Sequence, residues 1–187
     1  MAAGRSDAIL RAAERVLVAD GDATMVDVAQ AAGVGRTTLY RYFPGMDELR
    51  VRLVQVAATD AARRLRSAGL HRVGFEEGLS RAVRALVEVG DSYFLLVGAR
   101  VVPEPEQIAE VREPLLELFS QARREGVLRP DVPNEWLLET IFALVTAGVR
   151  SRERLGLTDD QLVTTVTDVL LSGLRAPYRA AASSSSP

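Results

Sequence analysis

Through almost the whole of this chain the apolar residues recur at three- and four-residue intervals, and no stretch alternates apolar with polar as a half-buried strand does. A period of about 3.6 residues gathers such side chains on one side of an α-helix, so burying them means packing helix against helix. An all-α fold follows as the expectation. With 187 residues the chain is long enough for one compact core, or for a small domain joined to a larger one.

Glycine, proline and capping residues divide the pattern. A first helix is expected over 6–19, with Ser6 as its N-cap, Ile9, Ala13, Val16 and Leu17 on one face, and Arg11 and Glu14 opposite. A second opens at Thr24, where Thr24-Met25-Val26-Asp27 has the form of a capping box with a short acid, and it ends at Gly33. A third covers 36–43, with Leu39 and Phe43 on one face, before Pro44-Gly45 breaks the chain. A long fourth runs over 47–67, with Asp47 and Glu48 in its first turn and Leu49, Leu53 and Val56 opening its stripe. Beyond a break at 69–74, helices are expected at 75–89, 92–101, 105–112 and 114–125. A proline-bounded loop at 129–133 precedes two strong helices. Asn134 is the expected cap of the first, which carries Leu137, Ile141, Leu144 and Gly148. Thr158-Asp159-Asp160-Gln161 is a capping box for the second, which carries Leu162, Val166, Val169 and Leu170. Residues 180–187 are low-complexity and serine-rich.

Several function classes are excluded or disfavoured by composition. The net charge is −2 and the isoelectric point about 5.6, so the chain is not a general nucleic-acid-coating protein, which would be strongly basic. Positive charge has to be local. Residues 1–50 hold six Arg against seven Asp or Glu, but 33–43 contain Arg36 and Arg41 and no acid. Absence of cysteine removes disulfides, thiolate metal sites and a cysteine nucleophile, and it fits a cytoplasmic protein. No run of apolar residues is long enough for a membrane span, and the N-terminus leads into an amphipathic segment and not a signal-peptide core. His71 is the single histidine and has no cluster of other ligands around it, so no metal site is expected. Asp159 and Asp160 read as first-turn acids and not as a catalytic pair, and no glycine-rich phosphate loop is present. Neither an enzyme nor a cofactor is expected.

The informative stretch is 24–49, TMVDVAQAAGVGRTTLYRYFPGMDEL. It reads as two short helices joined by Gly33-Val34-Gly35, with the small Ala29 letting them approach, which is the steric need of a helix-turn-helix. With Leu39 and Phe43 facing inward, Arg36, Thr37, Thr38, Tyr40, Arg41 and Tyr42 cannot all be buried. Taken alone, so short a helix also fits an ordinary solvated surface.

Thr24, Val28-Ala29, Ala32-Gly33-Val34, Thr38-Leu39-Tyr40, Tyr42-Phe43 and Leu49, in this spacing and after a matching first helix, resemble the N-terminal domain of the TetR family of bacterial regulators. Two positions depart from the family pattern: Gly35 stands where a serine cap is usual, and Met46 where lysine is frequent. The resemblance covers about a quarter of the chain. It implies Arg36 and Thr37 for base edges, with Thr24, Thr38, Arg41 and Tyr42 for phosphates and Tyr40 for either, bases setting sequence preference and phosphates setting register.

The expected organisation is thus a three-helix helix-turn-helix head over 1–46 on a larger helical regulatory and dimerisation domain over 47–178, with 179–187 a disordered tail. The expected function is transcriptional repression, in which a homodimer occupies a palindromic double-stranded DNA operator and a small hydrophobic effector releases it. A dimeric DNA-binding regulator without an effector is the alternative. The dimer interface is expected on the last two helices, where Ala143, Ala147 and Gly148 are small. Tyr93, Phe94, Phe119 and Phe142 are the expected effector lining, with Arg100 a candidate partner for an acidic ligand.

Overall fold

A computed structural model describes residues 2–89 and 104–174. The described residues form eight α-helices and no extended strand: α1 Ala2–Ala19, α2 Met25–Ala31, α3 Arg36–Tyr42, α4 Met46–Ser67, α5 Phe75–Val87, α6 Pro105–Arg124, α7 Asn134–Leu155 and α8 Asp159–Leu174. A single 3-10 turn, Leu70–Arg72, fills the break between α4 and α5.

Two hydrophobic cores organise these helices. In the head, Ile9, Leu10, Ala13 and Leu17 of α1 meet Met25, Val28 and Ala29 of α2, Leu39 of α3, Phe43, and Leu49 and Leu53 of α4. The larger core begins at Ala58 on the same α4 and continues through Leu79, Val83 and Leu86, then Leu115, Leu118 and Phe119, then Leu137, Ile141 and Val145, and finally Leu162, Val166 and Leu170. Within it α4 lies against α6 and α5 against α8. The alanines of α4, at 57, 58, 61 and 62, are all buried and bring the neighbouring backbones close.

The turns and caps have local causes. Thr158 and Gln161 form the expected box: the Gln161 amide N–H donates to the Thr158 hydroxyl at 3.2 Å, and the Thr158 N–H donates to the Gln161 side chain at 2.9 Å. The acids after it are tied down. Asp159 accepts from Arg152 of α7 at 3.1 Å and Asp160 from Arg84 of α5 at 2.7 Å, so both brace the start of α8. Arg123, at the end of α6, donates to the carbonyls of Arg129 and Val132 and to Oδ1 of Asn134, which holds the proline-bounded loop in place. Within that loop Arg129 grips Asp131 with two hydrogen bonds and holds its carboxyl down to about 2.

Some boundaries differ from the sequence expectation. Helix α1 starts at Ala2, so Ser6 is an interior residue and not a cap; alanines at 2 and 3 extend the helix at no propensity cost. The two helices expected at 105–112 and 114–125 are the single helix α6, with Pro114 inside it. An interior proline costs about 3 kcal/mol, but Val111, Leu115, Leu118, Phe119 and Ala122 form one continuous buried stripe across it and offset that cost. Pro133, not Asn134, is the N-cap of α7; Asn134 is its first helical residue and its side chain serves Arg123. The helix expected at 92–101 and the tail at 179–187 lie outside the described residues.

Glycine inside a helix is normally a loss, and Gly78 of α5 is kept for space. A Cβ there would stand 2.7 Å from a Leu118 methyl and 3.0 Å from the Leu70 carbonyl oxygen. Gly78→Ala gains helix propensity, yet it drives α5 away from α6 and the 3-10 turn. Overpacking of this kind costs about 1–3 kcal/mol against the roughly 1 kcal/mol propensity gain. The variant is expected to be less stable than wild type in urea unfolding, reversing the sign usual for a helical Gly→Ala change.

Candidate nucleic-acid interface

The head places one short helix on the surface and fixes it from one side. Gly33 takes positive φ, 64°, at the end of α2, where the Val34 N–H donates back to the Ala29 carbonyl at 3.0 Å. Such a backbone suits glycine because no Cβ meets the carbonyl. The chain thereby reverses and α3 begins three residues later, at Arg36. Leu39, with 0% exposure, and Phe43 anchor α3 to the head core. Arg36, Thr37, Arg41 and Tyr40 stand exposed, Tyr40 at 48%, while Thr38 and Tyr42 are half-buried. The Arg41 guanidinium lies 5.6 Å from the centre of the Tyr42 ring, a cation–π distance that restrains the long side chain. The six donor-bearing side chains from Arg36 to Tyr42 therefore share one helix and are held by an apolar contact behind it.

Thr24 stands apart from this group. Its hydroxyl donates to Asp27 Oδ2 at 2.6 Å and accepts from the Asp27 N–H at 3.4 Å, while the Thr24 N–H donates to Asp27 Oδ2 at 2.8 Å. The capping box is complete in spite of the short acid. The Thr24 hydroxyl and then the Thr24 N–H hold the Asp27 carboxyl below its ordinary range. A group depressed in this way contributes stability above its unfolded pKa and loses it as pH falls through the folded value, so the box is intact at neutral pH and opens only in acid.

The two departures from the family pattern have structural consequences. Gly35 is the N-cap of α3 and makes no side-chain hydrogen bond. Met46 packs half-buried against the head core, so an apolar contact stands where a basic one is frequent. Sequence reasoning passed over Arg50 of α4, whose Nη2 donates to the Gly21 carbonyl in the α1–α2 turn at 3.0 Å. A contact across 29 residues leaves no local sequence signal.

Elsewhere the sequence-predicted residues are dispersed. Phe119 is wholly buried in the larger core, and Phe142 is half-buried against it. Tyr93, Phe94 and Arg100 lie outside the described residues. An open groove of about 890 Å³ follows α6 past Pro105, Ile108, Arg112, Leu116 and Arg124, with the exposed His71 beside it. A smaller notch of about 160 Å³ lies between Leu10 and Arg11 of α1 and Leu53 and Val56 of α4. Neither is lined by Phe119 or Phe142. Among the described residues no group of three His, Cys, Asp or Glu is placed to hold a metal, and no helix is long and apolar enough to cross a membrane.

Two short helices turning at a left-handed glycine, the second presenting cations, hydroxyls and a tyrosine to solvent, define a helix-turn-helix DNA-binding regulator. Residues 9–53 match the model for bacterial regulatory proteins of the tetR family. The HTH-type transcriptional repressor LfrR of Mycolicibacterium smegmatis is 29% identical over 171 residues, 89% of this chain and 88% of the relative. The crystal structure of TetR-like LfrR from Mycobacterium smegmatis in complex with proflavine superposes with a TM-score of 0.73 at 25% identity, covering 92% of this chain and 98% of that one. For the fold alone, the ketosteroid transcriptional regulator KstR2 of Mycobacterium tuberculosis gives a TM-score of 0.76 at 20% identity, over 92% of this chain and 96% of that one. Residues 9–53 thus match the DNA-binding domain of the tetR family, and over most of its length the chain is similar to TetR-like transcriptional regulators. The relatives so matched are regulators of transcription and not enzymes.

Loss of the Thr24 side chain removes one capping partner of α2. Thr24→Ala is expected to lower stability by about 1 kcal/mol in urea unfolding without DNA, independently of any effect on DNA affinity.

Proposed function

We propose that this chain represses transcription by occupying a palindromic operator as a homodimer, and that a small hydrophobic effector releases it. The observation carrying the DNA half is α3 itself: Leu39 is sealed into the head while Arg36, Thr37, Tyr40 and Arg41 face outward. Arg36, in the first turn, suits a guanine edge, which arginine grips with two hydrogen bonds, and Thr37 beside it suits a base or a thymine methyl. Thr38, Arg41 and Tyr42 serve phosphates, and Tyr40 either. Thr24 reaches a phosphate only by sharing the hydroxyl that caps α2.

Dimerisation through α7 and α8 is supported by what these helices leave uncovered. Leu137, Ile141, Leu162, Val166 and Leu170 are buried within the chain. Gly148 is used there as well, since a Cβ on it would collide with Leu162. The remaining faces carry Trp136 at 57% exposure with Ala143 and Ala147 on α7, and Val169 at 55% on α8. Paired by a two-fold axis, two such helices from each protomer build a four-helix bundle. The effector half rests on LfrR, a relative along most of the chain, whose structure holds proflavine. Phe142, at the edge of the larger core, is the described aromatic best placed to meet such a ligand; one would reach Phe119 only through the residues that cover it. That burial favours the second reading, a regulator without an effector, which an operator-release assay separates from the first.

Selection of bound fragments from random DNA tests the main reading, and a palindromic consensus is the expected result. On the selected site Arg36→Ala is expected to cost about 1–3 kcal/mol and to relax preference at one position per half-site, while Arg41→Ala weakens all sequences and flattens the salt dependence. An asymmetric or absent consensus would sink the proposal. Sedimentation tests the interface: Ala147→Arg and Val169→Glu are expected to yield folded monomers, and persistent dimers of both would move the interface elsewhere.

A further inference from the structure

We propose that Arg50 is a positioning residue for DNA recognition: from α4 it clamps the α1–α2 turn through the Gly21 carbonyl and so fixes where α3 stands relative to the larger bundle. The proposal rests on α3 as the recognition helix. Helix α4 is anchored in the larger core by Ala58, Ala61, Ala62 and Leu65, so whatever ties the head to α4 sets the direction in which α3 points. Leu49 and Leu53 supply an apolar tie, made of contacts that are individually non-directional. A surface notch of about 160 Å³ lies between Leu10 and Val56, at the edge of the α1–α4 seam.

The hydrogen bond from Arg50 Nη2 to Gly21, 3.0 Å long, adds a directional tie across the seam, because a guanidinium donates in a fixed plane. Its acceptor is well chosen. The turn is braced internally, since the Asp22 N–H donates to Asp20 Oδ1 and the Ala23 N–H to the Asp20 carbonyl. Three residues after Gly21, Thr24 caps α2, and α2 leads through Gly33 into α3. A fixed carbonyl at residue 21 therefore fixes the start of the helix-turn-helix. The acids Asp20 and Asp22 flank that carbonyl, which makes the spot unfavourable for a phosphate and suits Arg50 to an internal role.

The experiment compares two duplexes of equal length, the selected operator and an unrelated sequence, bound by the full-length protein. Arg50→Met keeps the apolar stem and removes every donor. It is expected to weaken operator binding about tenfold, the worth of one charge-assisted hydrogen bond, and to leave the unrelated duplex and the salt slope unchanged. Non-specific binding depends on phosphate neutralisation and not on the aim of α3. Arg50→Lys, still a donor to Gly21, is expected to recover part of the loss. Equal losses on both duplexes with a slope shallower by about one would make Arg50 a phosphate contact and overturn the clamp. An unchanged ratio of the two affinities would overturn it too, because partial unfolding lowers both alike. If Arg50→Met does not fold, Arg50→Gln is read by the same ratio. Arg36→Ala runs in parallel. If it leaves the ratio intact, the recognition-helix reading fails; if it lowers the ratio while the Arg50 variants do not, only the clamp fails.

Discussion

Everything in this molecule hangs on α4 belonging to two cores at once. Its first turns put Leu49 and Leu53 into the head, and from Ala58 onward it lines the larger bundle. A head of three short helices buries too little apolar surface to be robust by itself, so part of its core has to come from a fourth helix. That requirement makes the connection between head and bundle a rigid element and not a flexible linker. Salt bridges extend the same logic along α4: Arg64 reaches Glu88 beyond α5, and Arg66 reaches Glu110 of α6. These half-exposed pairs contribute little energy each, but they tie down the end of α4 opposite the head.

Helix α3 shows the reverse economy. Only Leu39 within α3 is buried, so nearly all its other side chains are left at or near the surface. A helix of seven residues cannot hold its own shape in water, because nucleation consumes what a few hydrogen bonds return. Its geometry is imposed from outside, by the left-handed Gly33 turn, by the Thr24–Asp27 box that fixes the helix before it, and by Phe43 just beyond its end. Gly35 at the cap adds no side-chain bond, which leaves α3 still more dependent on those neighbours.

Legibility in the sequence followed the range of the interactions. The head was readable because its determinants are local: a box across three residues, a glycine at a turn, and two apolar residues four apart. The capping box at Thr158 and the stripes of α5, α7 and α8 were readable for the same reason. Pro114 misled because proline's local penalty is visible in sequence, whereas the buried stripe that outweighs it becomes visible only when α4 and α5 are in place. Gly148 misled in another way. Small residues say that something approaches closely, not what it is, and the neighbour turned out to be Leu162 of the same chain. Val169 and Leu170 read alike in the apolar pattern of α8, but Leu170 is buried and Val169 is exposed. Arg123 and Arg50 have partners that no local pattern announces.

Charge distribution gives the positioning contacts their weight. Acids outnumber cations in residues 1–50 and in the whole chain, so long-range attraction to a polyanion is weak. Four of the seven acids in residues 1–50 have structural places: Asp20 braces the α1–α2 turn, Asp27 closes the box, and Asp47 and Glu48 occupy the first turn of α4. Residues 33–43, free of acid, are left as the place where phosphate and base can approach. A protein with a broad basic surface tolerates a loosely aimed recognition helix, because phosphate contacts hold it near the duplex while it searches. On the proposed reading this chain, with no net basic charge, gains little affinity without correct docking. On that reading the aim of α3 therefore matters alongside its charge, and the Arg50 tie to the α1–α2 turn becomes part of specificity.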